Sequence, residues 1–164
     1  MKFLATVLLL LPLASHAANA AYLRIFLMQP KEVMLQKLNG IDEMDQYVKE
    51  VERNINKEIT TLPEQQAWGF LVMAVREDGK VKAWVDTDDA VPASVAKAMV
   101  NVAQNTKAFT VKNGAAVFSL GFALDGADLP VNKMPFPTEW KEVSGCSNED
   151  CAEKNVEEIV LKSW

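Results

Sequence analysis

Residues 112–126, KNGAAVFSLGFALDG, decide how this chain folds. In an extended strand, successive side chains point to opposite faces. Phe118, Leu120, Phe122 and Leu124 therefore share one face, and Val117, Ser119, Gly121 and Ala123 share the other. The large residues call for helices packed against them, each burial contributing about 1.5–3 kcal/mol relative to exposure. The small face admits two readings. Either the N-terminal or C-terminal segment closes it, glycine permitting close backbone approach, or it stays open to a partner's strand or loop, helped by backbone pairing at an edge. The closed reading is preferred, because residues 127–164 must pack somewhere. On the open reading, Val117, Ser119, Gly121 and Ala123 are the partner-binding residues.

Working outward, FLVMAVREDGKVKAWVD (70–86) reads as a hairpin. Asp78-Gly79 supplies the positive φ that a tight turn needs. Phe70 to Val75 is apolar on both faces and should be a central strand. Val81, Ala83 and Val85 alternate with Lys80, Lys82 and Trp84, so the second run should bury one face. Apolar residues at Ile41, Met44, Val48, Val51, Ile55, Ile59 and Leu62 lay a stripe along one helix, which Pro63 stops. Val95, Met99 and Val102 mark a second helix, with Pro92 tolerated in its first turn. Residues 22–38 read as a short strand and, after Pro30, a short helix, ended by Asn39-Gly40. Pro130, Pro135 and Pro137 predict an irregular segment. A last helix should start near Ser147, capped by its hydroxyl, and dock through Val156, Ile159 and Val160. The expected fold class is α+β: a small antiparallel sheet, hairpin plus a further strand, packed on two amphipathic helices, with a disulfide-stapled C-terminal helix.

The helix, hairpin, helix, strand order over about residues 41–126, carried by FLVMAVREDGKVKAWVD, VPASVAKAMVNVAQN and NGAAVFSLGFAL, resembles the C-terminal domain of the TonB and TolA envelope proteins. The resemblance implies contacts with outer-membrane receptors or other envelope proteins, partly by addition to a strand edge. The chain departs from the family in having no long Pro-rich spacer. It also carries Asn105-Thr106-Lys107-Ala108-Phe109 where the family often has an aromatic and proline pattern.

The start, MKFLATVLLLLPLASHAANA, has Lys2, an apolar stretch from Leu4 to Ala14 and small residues after it, the layout of a secretory signal. The apolar stretch is shorter than the roughly 20 residues a membrane span needs. Cleavage after Ala17 or Ala20 would leave 147 or 144 residues, with no cysteine next to either cut for lipid attachment. The expected organisation is a signal peptide at 1–20 and one α+β domain at 21–164 with a C-terminal extension at 127–164, soluble in the periplasm or outside the cell.

Removing Lys2 leaves 16 basic against 22 acidic residues, a balance that argues against nucleic-acid or anionic-membrane ligands. Cys146 and Cys151 in GCSNEDC should pair in an oxidising compartment. Zinc would want more ligands, and a redox pair normally spans two residues rather than four.

The mature chain has no histidine, because His16 lies in the leader. That removes His-based triads and most transition-metal sites. Ser94 and Lys97 match the S-x-x-K spacing of penicillin-binding proteins, but neither companion motif is present and a solvent-facing helix turn explains them. Asp86, Asp88 and Asp89 are weak candidates for calcium; acids before a helix are expected from its dipole. Trp68, Trp84 and Trp140 are candidate sugar platforms, though Trp68 and Trp84 sit in strand patterns and suit packing better. The expectation is a non-catalytic protein-interaction module of the cell envelope, without cofactor or metal, whose partner is another envelope or exported protein. The alternative is an inhibitor or immunity protein that blocks an envelope-acting hydrolase. A third reading, a small carboxylate-dependent hydrolase, needs only two suitably separated acids.

Overall fold

The computed structural model describes residues 18–87, 91–128, 133–145 and 149–164. In chain order they form β1 (Ala20–Leu27), α1 (Lys31–Lys37), α2 (Ile41–Ile59), β2 (Ala67–Arg76), β3 (Val81–Asp86), α3 (Ala93–Asn105), β4 (Ala115–Leu124), α4 (Thr138–Ser144) and α5 (Glu149–Lys162). The fold is α+β. Its sheet is antiparallel throughout, in the order β1-β4-β2-β3. The expected three strands are joined by β1, which pairs along the outer side of β4. Residues of β4 are buried along its whole length, since it has a strand on either side and a layer on either face.

One layer is built by α2 and α3. Met44, Val48, Val51, Ile55 and Ile59 of α2, with Val95, Met99 and Ala103 of α3, pack on Phe118, Leu120, Phe122 and Leu124 and on Leu71, Met73 and Val75. Tyr47 joins the α2 stripe because its hydroxyl, pushed above the usual tyrosine range by burial, donates to the Ala103 carbonyl at 2.7 Å. Three expected stripe members differ, Leu62 among them because α2 ends at Ile59. Ile41 opens the helix 48% exposed, and Ala103 takes the buried place where Val102 was expected. The helix also ends ahead of Pro63, where the hydroxyls of Thr60 and Thr61 donate to the carbonyls of Lys57 and Glu58.

The second layer comes from the C-terminal part of the chain. Phe136, Trp140, Val156, Ile159 and Val160 cover Phe70, Val72, Ala74, Ala115 and Val117. Trp84, expected on the exposed side of β3, is instead 4% exposed, its ring edge-on to Trp140 with centroids 5.5 Å apart. Both faces of that strand are thus covered. The segment expected to be irregular contains α4, which Pro137 precedes and left-handed Gly145 ends. Seven residues are too few to display helical periodicity, so only the caps signalled it. Ser147, Cys146 and the side chain of Cys151 lie outside the described residues, and so does the expected disulfide.

The hairpin forms as its turn residues require. Gly79 has φ 77°, and the Arg76 guanidinium holds both carboxylate oxygens of Asp78, at 3.0 and 2.6 Å. That contact keeps the Asp78 carboxyl well below the usual carboxylate range.

Candidate functional site

The small face of β4 is not a surface in this fold. Val117 and Ser119 are 0% exposed and Ala123 3%, and Gly121 is buried with them. Small residues there leave room for the large rings of Trp140 and Phe136 above Val117, while the Ser119 hydroxyl meets the Met28 sulfur at 3.7 Å. A partner reaching Val117 would have to displace α4 and α5.

A polar network secures that cover at one end of the sheet. Lys37, its side chain 6% exposed, donates to Glu157 of α5 at 2.8 Å and to the Asn113 carbonyl at 3.2 Å. The same Glu157 oxygen accepts the Ala115 N–H at 3.0 Å. Gln29 donates to the Ala115 carbonyl and to Glu157, both at 3.2 Å, and accepts the Val117 N–H at 2.9 Å. Gly114, at φ 58°, makes the close approach possible, because a Cβ there would lie 1.8 Å from the Glu157 oxygen. One charge on α5 therefore gathers α1, the end of β1 and the start of β4.

The structure leaves one long backbone edge free among the described residues, and it belongs to β1. The Met28 N–H donates to the Val117 carbonyl at 3.1 Å, and the Asp125 N–H to the Asn19 carbonyl at 2.9 Å. The pairing register breaks between Tyr22 and Arg24, so Leu23 is a bulge. Antiparallel alternation then turns the main-chain groups of Arg24 and Phe26 toward β4 and those of Tyr22, Ile25 and Leu27 outward. Beside this edge Leu23 is 53% and Ile25 38% exposed. Glu52 of α2 lies near Tyr22, and burial first, then the charge of Asp45, raises its carboxyl above the ordinary range. The opposite edge, β3, is shorter, carries Lys82 and has α3 packed along it.

The remaining sequence candidates fall in separate places. Ser94 and Lys97 are both exposed in the first turns of α3. Asp86 accepts the Phe136 N–H at 2.6 Å and so pins the segment leading into α4, while Asp88 and Asp89 lie outside the described residues. Among the described residues no three His, Cys, Asp or Glu side chains gather as a metal site. Trp84 and Trp140 are core residues, and Trp68 stands half-buried, edge-on to Phe70. No helix among the described residues is long and apolar enough to cross a membrane.

Two clefts escaped the sequence reading, since their walls come from distant segments. One, of about 380 Å³, lies between α2 and residues 107–110 and includes Glu43, Glu50 and Tyr47. The other, of about 600 Å³, includes Lys80, Lys107, Asn105 and Trp164, whose ring lies 4.5 Å from the Arg76 guanidinium. The β1 edge had a partial signal in the apolar run Tyr22 to Met28, but nothing in that run said which side would be paired. Compared with known proteins, the chain matches no family model, and neither a curated protein nor a solved structure is significantly similar to it.

Proposed function

We propose that this protein is an exported, non-catalytic interaction module of the cell envelope that binds an extended segment of another exported protein along the outer edge of β1. The observation that carries the reading is the outward main chain of Tyr22, Ile25 and Leu27 beside exposed Leu23 and Ile25. Strand addition takes affinity from main-chain hydrogen bonds and specificity from alternate side chains. A bulge can also blunt an edge against pairing. This edge carries Arg24 as well as the bulge, yet it also presents exposed leucine and isoleucine side chains, Leu23 and Ile25, to an incoming strand. The resemblance to TonB and TolA C-terminal domains points the same way, and the order α2, β2, β3, α3, β4 supports it.

The test is photo-crosslinking from Leu23 and, separately, from exposed Lys97 on α3, in the native envelope and read by mass spectrometry. The expected result is one dominant exported or envelope protein captured from Leu23 and not from Lys97. Capture of a single small hydrolase in a one-to-one complex would establish the inhibitor reading instead. Equal yields from both positions would show that the β1 edge is not the binding surface.

A further inference from the structure

The leader offers two cleavage points, and both place small residues where a signal peptidase reads them, Ser15 and Ala17 or Ala18 and Ala20. The fold separates them. Ala18 and Ala20 are 2% and 4% exposed, and the Ala18 N–H donates to the Leu62 carbonyl at 3.2 Å. Asn19 is tied twice to the residue after β4: its N–H donates to the Asp125 carboxylate at 2.8 Å, and its carbonyl accepts the Asp125 N–H at 2.9 Å. The Ala20 N–H reaches the Asn56 side-chain oxygen at 3.3 Å.

Asp125 is built to hold this segment. Among the described residues it alone has a positive φ, 49°, without being glycine. Its second carboxylate oxygen accepts the Gln65 N–H at 2.7 Å, and its carbonyl accepts the Gln66 side-chain amide at 3.2 Å. A left-handed backbone at a residue with a side chain persists where its surroundings over-determine it. Three stretches converge here: residues 18–20, residues 65–66 and the end of β4.

We propose that the exported chain is cut between Ala17 and Ala18, and that the Ala18–Asn19 segment so retained is a clasp closing the fold through Asp125. The inference rests on the export reading. Hydrolysis adds water across the Ala17–Ala18 amide, leaving a carboxylate on the leader and an α-ammonium on Ala18 beside the Leu62 carbonyl. A cut after Ala20 would discard every contact just described except those between Asp125 and residues 65–66. It would also place an ammonium on Ala21, inside the ladder opposite Ala123.

The experiment expresses the full chain with its own leader in a bacterial host and measures the intact mass of the periplasmic product. The expected product begins at Ala18. A product beginning at Ala21 would overturn the clasp while leaving export standing, and an unprocessed chain confined to the cytoplasm would overturn both. Purified chains beginning at Ala18 and at Ala21 give an independent reading. The shorter is expected to melt about 10 °C lower, from the lost hydrogen bonds and buried alanines, and equal melting temperatures would overturn the clasp.

Discussion

The two faces of the β4 sheet are covered in different ways. On the α2 and α3 side, large residues on the strand meet aliphatic side chains that recur at helical spacing within each helix. On the α4 and α5 side, small strand residues meet the large rings of Trp140 and Phe136, which follow the strand in the chain. Native packing density asks only that the volumes sum correctly, so the strand's bare face is the receiving half of a joint. The first layer is held mainly by apolar burial. The second adds polar pins: Lys37 to Glu157, Gln29 to β4, and Asp86 to the Phe136 N–H.

The comparison breaks if the second layer is a loose cover. Trp140→Ala removes a 0% exposed ring that touches Trp84 and Phe136, and should cost about 3–5 kcal/mol in denaturant unfolding. A loss under about 1 kcal/mol would mean that the tail is not part of the cooperative core. Next in size is Glu157→Ala, which takes the carboxylate from the buried Lys37 ammonium and leaves it the uncharged oxygens of Asn113. Breaking a buried pair costs about 3–5 kcal/mol; with Glu157 32% exposed, roughly 2 kcal/mol is expected. Hydrogen exchange should then rise in α5 before it rises in α2, and an equal rise in both would deny the network its place as the tail's own pin.

The smallest effect tests the first layer at its rim. Burial and Asp45 raise the Glu52 carboxyl, so its ionised form is disfavoured in the folded state at neutral pH. That cost is fully present above the raised folded value and disappears below the unfolded value of about 4.3, where both states are protonated. Glu52→Gln should therefore raise the melting temperature at pH 7 by about 2 °C. The gain should fade toward pH 4; a gain independent of pH would point to a cause other than the charge.

Much of the first layer was legible because its signals are local. The α2 stripe, the Asp78-Gly79 turn and the alternation in β4 each lie within a few turns or residues of one another. Trp84 shows where such reading stops. Alternation placed it opposite Val81, Ala83 and Val85 correctly, yet exposure of that side depended on Trp140, more than fifty residues on. Lys37 likewise looks like any helical lysine until Glu157 arrives. The free edge of β1 became visible only when its register with β4 was known, because a strand's sequence does not say which of its two sides is paired.

The sequence by itself determined the α+β class, the central place of β2, the hairpin and the two faces of β4, since periodicity and turn chemistry are properties of adjacent residues. Only the tertiary structure decided that the tail covers the small face, that β1 rather than β4 offers the edge, and that Asp125 gathers residues 18–20 to the end of β4. Those are choices between segments far apart in the chain, made by matching volume and by pairing buried polar groups, and no local pattern encodes them.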